Sequence, residues 1–111
     1  MKKFMLLYVV PTSAGEQMQN MDPEMGKEIM DAWMAWFGKH GSAIVDGGEP
    51  LVSGANFTAT TSAKPQLPQV GGYSIVQAAD IQQVKAMLDG HPHLMTPGGS
   101  IEVLEVIPVS P

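Results

Sequence analysis

The stretch at residues 71–88, GGYSIVQAADIQQVKAML, decides the fold, because a strand pattern changes into a helix pattern inside it. Its opening, residues 71–76, is β-prone and predicts a strand. Asp80, followed three residues later by Gln83, predicts a helix start of the capping-box type, and Gly90 predicts the end of that helix. Residues 100–107 predict a further strand, so this half of the chain runs strand, helix, strand.

The first half of the chain begins with the same order. Residues 4–10, FMLLYVV, are apolar on both faces of a strand and stop at Pro11. Asp22 and Pro23 then predict a helix start, as an N-cap acceptor followed by a proline at the first helical position. The apolar stripe of this helix consists of Met25, Ile29, Trp33, Trp36 and Phe37.

Between the two halves, residues 43–45 predict a short strand and residues 51–61 predict an extra β segment. The element order is that of a ferredoxin-like split βαβ pair, so we expect a single α+β domain over residues 1–111. In that plan both helices pack on one face of the sheet and the other face stays bare. We therefore expect a second copy of the chain to cover it, giving a homodimer with a dimeric α+β barrel.

The composition limits the partners and cofactors. The 111 residues carry a formal net charge of -5. All six basic residues are lysines spread along the chain, so we expect no nucleic-acid partner. The chain has no cysteine, which excludes disulfides, thiolate nucleophiles and iron–sulfur clusters. Its glycine pairs match neither the dinucleotide fingerprint nor the P-loop, and we expect no cofactor.

The N-terminal residues 1–14 admit two interpretations. Two lysines, seven apolar residues and a stretch of small residues imitate a secretory signal peptide, at the lower length limit for one. The same seven apolar residues also fit a buried strand, and they are too few to span a bilayer. We favour the strand, and with it a cytoplasmic protein that does not enter a membrane.

Three segments carry a resemblance to a known family. The stretch at residues 71–88, the HPHL turn at residues 91–94 and GGSIEVLEVIP at residues 98–108 resemble the closing half of the YCII-related family, in its DGPF-domain branch. MKKFMLLYVV at residues 1–10 resembles the first strand of that family. The resemblance implies a ferredoxin-like subunit that pairs into a dimeric α+β barrel. The family is mostly bacterial, and most of its members have no assigned function.

Two departures from the family pattern bear on function. Residues 64–68, KPQLP, stand where the branch usually has Asp-Gly-Pro-Phe. Some YciI-like relatives are thought to use a histidine in the first helix together with an aspartate near its end. Here that helix carries Met25 and Gly26 near its start, and Lys39 and His40 at its end. Neither role is carried over to this chain.

The loop at residues 90–103, GHPHLMTPGGSIEV, holds His91 and His93 two residues apart. Either histidine suits general acid or base catalysis at neutral pH, and Asp46 or Glu49 in the glycine-rich turn is the candidate partner that would orient it. A metal site would need further ligands from distant parts of the chain, and we predict none. The structural alternative is a helix-ending loop with one packed and one exposed histidine.

The first helix is rich in methionine and tryptophan. Trp33, Trp36 and Met30, with Tyr73 from the later strand, are candidate binding residues for a small apolar or aromatic molecule. A stripe of this kind more often serves the core or a dimer contact. The sequence therefore leaves two functions open. One is a cofactor-free enzyme or binder of a small molecule, with a loop histidine as acid/base. The other is a non-catalytic homodimeric binding or assembly module.

Overall fold

The computed structural model describes residues 1–11, 21–63 and 68–109. Its elements are, in chain order, β1 (Lys2–Val10), α1 (Pro23–His40), β2 (Ile44–Asp46), β3 (Asn56–Phe57), β4 (Ser62–Ala63), β5 (Gln69–Ala78), α2 (Ile81–Leu88) and β6 (Ser100–Glu105), with 3-10 turns at Gly41–Ala43 and Pro92–Met95. Most of the sequence that replaces the Asp-Gly-Pro-Phe motif, residues 64–67, lies outside the described residues.

Four strands form one antiparallel sheet in the order β2-β5-β1-β6. This order arises when two strand–helix–strand units interleave, and it confirms the ferredoxin-like α+β fold. β3 and β4 pair separately as a small two-stranded sheet. Only β3 lies within the extra β segment predicted at residues 51–61, and β4 follows it. β2 begins at Ile44 rather than at residue 43, because the 3-10 turn takes up Gly41–Ala43.

The core lies between the sheet and both helices. Alternate residues of β1 face the helices, and Phe4, Leu6 and Tyr8 are at most 5% exposed. The other buried members of this cluster are Val76 and Ala78 of β5, Trp36 of α1, and Val84 and Met87 of α2. Met25 was expected in this core, but it lies in the first turn of α1 at the edge of the buried face and is 48% exposed.

Both helices begin where the sequence predicts. The Asp22 carboxylate accepts a hydrogen bond from the Met25 amide at 2.8 Å, and the Asp80 carboxylate accepts one from the Gln83 amide at 3.0 Å. The Gln83 side-chain oxygen in turn accepts from the Ala79 amide at 2.6 Å, which is a variant of the capping box. These caps satisfy amides that the first helical turn leaves unpaired.

The sheet face turned away from the helices carries apolar side chains. Met5, Leu7 and Val9 of β1 are half-buried there, beside Ile75 of β5. Leu104 stands opposite Met5 and is 40% exposed. We call the surface formed by these five residues the open face. The helices pack against the opposite side of the sheet, as the predicted fold requires.

Candidate functional site

Five rings meet where β1, α1 and the Pro92–Met95 turn come together. We call Tyr8, Trp33, Trp36, His91 and His93 the aromatic cluster. The Tyr8 ring centroid lies 5.1 Å from that of Trp33 and 5.2 Å from each histidine. The His91 centroid lies 4.8 Å from Trp33, edge to face, and 4.4 Å from Trp36. The structure thus brings together four of the residues that the sequence singled out.

The local chain path explains how the two histidines reach this position. After α2 the His91 amide donates to the Leu88 carbonyl at 3.0 Å, which turns the chain back toward α1. Pro92 then starts the 3-10 turn. Both histidines are buried, with His91 1% and His93 7% exposed. The expectation of one exposed histidine is therefore wrong, because the turn packs both rings against Tyr8.

His91 is held as a neutral ring with a defined proton position. Its Nδ1 accepts a hydrogen bond from the His93 amide at 3.0 Å, so in the neutral ring the proton is on Nε2. Burial, then the nearby charges of His93 and His40, lower the pKa of His91 to about 4. Nε2 is buried and has no hydrogen-bond partner among the described residues. The cluster therefore contains an unpaired donor at neutral pH.

His93 has the same tautomer as His91, but it is the protonated nitrogen that has a hydrogen-bond partner. Its Nε2 lies 3.0 Å from the Val9 carbonyl oxygen. Because a carbonyl only accepts hydrogen bonds, Nε2 carries the proton and the lone pair of the neutral ring is on Nδ1. The cluster therefore offers a nitrogen that can accept a proton as well as one that can donate a hydrogen bond.

Sequence analysis missed Tyr8 and Ser74, which form a buried relay below the cluster. The Tyr8 hydroxyl donates to Ser74 Oγ at 2.7 Å, and Ser74 Oγ donates to the Gly47 carbonyl at 2.7 Å. Burial raises the pKa of Tyr8 to about 12, and the hydrogen bond with Ser74 offsets only part of this rise. Tyr8 is therefore a phenol at neutral pH. The signal that could have found Tyr8 is its alternation with Phe4 and Leu6 on the inward face of β1.

Trp36 and Trp33 both project from α1 into the aromatic cluster, but they differ in their contacts and exposure. The Trp36 indole N–H donates to the Met87 carbonyl at 2.9 Å, which ties α1 to the end of α2. Trp33 is half-buried and forms the more accessible wall. Met30, a predicted binding residue, is 62% exposed and is not brought to this cluster.

Asp46, Glu49 and Tyr73 lie elsewhere. Asp46 pairs with Ile75 in the sheet register, which places both on the side of the open face, and Tyr73 alternates with the buried Ser74. The negative charge of Asp46, followed by desolvation and the charge of Glu49, raises the pKa of Tyr73. In the part of the chain that the structure describes, no hydrogen bond or ion pair joins either carboxylate to a histidine.

Within residues 1–11, 21–63 and 68–109, no three or more histidine and carboxylate side chains are grouped so that they could hold a metal ion. In the same residues, no helix combines the length and the apolar character needed to cross a membrane. The aromatic cluster itself offers a buried neutral donor on His91, a ring nitrogen with a lone pair on His93, and the phenol of Tyr8.

Comparison with known proteins gives a fold relationship. No protein-family model matches the chain, and a search of curated proteins finds no match. Among solved structures the chain is similar to the 5-chloro-2-hydroxyhydroquinone dehydrochlorinase TftG from Burkholderia phenoliruptrix AC1100, in its complex with 2,5-dihydroxybenzoquinone. The TM-score is 0.52 and the sequences are 16% identical, over 93% of this chain and 90% of that chain. The likeness shows the subunit fold of the dimeric α+β barrel proteins.

Proposed function

We propose that the protein is a homodimeric, YCII-related protein that binds a small planar ring bearing oxygen atoms in the aromatic cluster. It acts without a cofactor and uses a loop histidine as acid/base. The observation that carries this proposal is the buried His91 Nε2–H, a donor without a partner among aromatic rings. A cytoplasmic location remains part of the prediction.

The energetics of the unpaired donor support a ligand. Burying a polar group without a partner costs about 1–3 kcal/mol, and native structures contain few such groups. A carbonyl or phenolate oxygen on a ligand would satisfy it. Trp33 and Tyr8, whose rings meet edge to face, offer aromatic surface on which a flat ring could pack. TftG, which shares the fold, is seen with 2,5-dihydroxybenzoquinone, a molecule of that description.

The geometry supports a proposed role for four of these residues. His91 and His93 are the candidate acid/base residues, and Trp33 and Trp36 are the candidate binding residues. No role at the cluster falls to the other residues that the sequence singled out, Met30, Asp46, Glu49 and Tyr73.

The direct test is calorimetric titration with 2,5-dihydroxybenzoquinone. We expect the wild-type protein to bind it. In His91→Asn the side-chain oxygen can still accept from the His93 amide, but the buried Nε2–H is gone, so affinity should fall about tenfold or more. His40→Asn makes the same chemical change at a residue outside the aromatic cluster, although its ring lies 5.3 Å from that of Trp36, and it should bind within about twofold of wild type. No binding by the wild-type protein, or equal binding by His91→Asn, would contradict the proposal.

The open face supports a second candidate function, a non-catalytic homodimeric module. Its apolar side chains are only partly buried in one chain, and a second open face related by a two-fold axis would cover them. A stable interface of this kind buries about 1,000 Å2 or more in total. Both candidate functions include the dimer. A dimer that binds no small ring would favour the module.

Sedimentation at micromolar concentration tests the dimer. We expect twice the chain mass. Ile75→Glu places a carboxylate on the open face opposite Asp46 and should shift the protein toward monomer, because the charge would be buried without a partner. Thr60→Glu, on an exposed turn, should leave the mass unchanged. A monomeric wild-type protein would show that the open face is not an interface between copies.

A further inference from the structure

We infer that His93, and not His91, transfers the proton, that it does so through Nδ1, and that the Val9 carbonyl and Gly99 position its ring. The substrate class is a planar ring that carries a hydroxyl group. This inference rests on the proposed function, since it assigns the acid/base role within that same site.

His91 lacks a nitrogen that can take up a proton. Its Nδ1 already accepts the His93 amide at 3.0 Å, and its Nε2 carries the proton. Protonating Nδ1 would set two hydrogens against each other and break the hydrogen bond that caps the Pro92–Met95 turn. His91 is therefore a donor and a cap.

His93 has the geometry of an oriented base. Its Nε2–H is directed to the Val9 carbonyl at 3.0 Å, which leaves Nδ1 as the basic nitrogen. When Nδ1 takes up a proton, the ring becomes a cation and its bond to the carbonyl becomes charge-assisted and stronger. The pairing of β1 with β5 shifts register between Tyr8 and Val9, and such an irregularity disrupts the regular ladder at this point. A backbone carbonyl here takes the orienting role that the sequence assigned to Asp46 or Glu49.

Gly99 leaves the space in which the His93 ring lies. A Cβ atom at this position would stand 3.1 Å from the carbonyl oxygens of His93 and Thr96 and 3.2 Å from His93 Nε2. These distances are tighter than ordinary contacts, so a side chain would press on the His93 ring at the nitrogen that bonds to the Val9 carbonyl. Gly99 is thus a positioning residue. This role is independent of the nucleotide-binding motifs, which the glycine pairs of the sequence do not match.

The proton step involves only the ligand and His93. The O–H bond of the ring hydroxyl breaks and an N–H bond forms at His93 Nδ1. The products are a phenolate and an imidazolium, and no electron acceptor or second reactant is consumed. The His91 Nε2–H, in the same cluster, is the donor available to the oxygen that becomes negative.

Titration with 4-nitrophenol, whose anion absorbs in the visible range, tests the transfer. We expect the bound probe to absorb as the phenolate in wild type and as the phenol in His93→Gln. The glutamine amide can still donate to the Val9 carbonyl but has no basic nitrogen. His91→Asn should bind the probe more weakly and still ionise it. Binding as phenolate by His93→Gln would overturn the inference and leave the proposed function standing, whereas absence of binding by wild type would count against the proposed function.

Long-range nitrogen–proton NMR of the imidazoles tests the positioning without any ligand. In wild type, His93 should be protonated at Nε2 and unprotonated at Nδ1. Gly99→Ala should raise the fraction of the other tautomer. Gly54→Ala, where a Cβ meets nothing within 4 Å, should not. A wild-type His93 protonated at Nδ1, or an unchanged tautomer in Gly99→Ala, would contradict the positioning assigned here.

Discussion

Gly48→Ala is expected to destabilise the protein by more than about 4 kcal/mol, the largest effect of any single change considered. Gly48 has a backbone φ of 81°, a conformation that residues with a Cβ rarely adopt. A Cβ there would lie 1.5 Å from the Tyr73 carbonyl oxygen and 2.5 Å from its carbonyl carbon. Both atoms belong to the backbone of a central strand, so neither can move aside without breaking the pairing of β5.

The damage should extend to the candidate site. The same turn is held by the Gly48 amide, which donates to Asp46 Oδ1 at 2.8 Å, and its Gly47 carbonyl ends the relay from Tyr8 through Ser74. Urea unfolding followed by circular dichroism measures the change. Gly54→Ala is the control and should stay within about 0.5 kcal/mol of wild type. A Gly48→Ala protein within about 1 kcal/mol of wild type would mean that the turn does not rest on β5.

Acid should destabilise the fold through His91. The pKa of this imidazole is about 4 in the folded chain, against an ordinary value of 6.5. Because the folded-state pKa is lowered, the contribution of His91 is complete above pH 6.5. It declines as the pH falls from 6.5 to 4, because in this range the unfolded chain takes up a proton on His91 and the folded chain does not. A lowering of this size corresponds to about 3 kcal/mol, since one pKa unit is worth about 1.4 kcal/mol.

Unfolding in urea at pH 7 and at pH 4.5 measures this loss. His91→Asn keeps an acceptor for the His93 amide and removes the titrating group, so most of the difference between the two pH values should disappear. The pKa of His40 is also lowered, first by desolvation and then by the charge of Lys39, but His40 is more exposed. His40→Asn should therefore flatten the dependence only slightly. An unchanged pH dependence in His91→Asn would show that the ring is not buried and neutral.

Most of the fold could be predicted because its signals are local. The Asp22 and Asp80 caps, the apolar run at residues 4–10 and the order of the elements each follow from short stretches of sequence. The segment at residues 51–61 was predicted less well. Only Asn56–Phe57 forms a strand there. Leu51 donates one hydrogen bond to the Gly71 carbonyl of β5, and the side chains that follow are mostly exposed, so little burial orders the rest of the segment.

The site was predicted only in part, because its contacts are long-range. His91, His93, Trp33 and Trp36 are candidates from the sequence because of their residue types, and the fold brings them together. No sequence pattern predicts that backbone groups are the partners of both histidines. The relay from Tyr8 to Ser74 joins residues 66 positions apart, so no local pattern could reveal it. Asp46 and Glu49 are candidates by their charge alone, and the side of the sheet on which Asp46 lies depends on the register of β2.

The most direct measurement is the long-range nitrogen–proton NMR spectrum of His91 at pH 7, with and without 2,5-dihydroxybenzoquinone. We expect the free protein to show Nε2 protonated and Nδ1 unprotonated. Saturating ligand should shift the Nε2–H resonance strongly while Nδ1 keeps its bond to the His93 amide. A His91 ring protonated at Nδ1 would contradict the buried geometry. An Nε2–H resonance that stays in place at saturation would show that the tryptophan rings, and not a ligand oxygen, satisfy this donor.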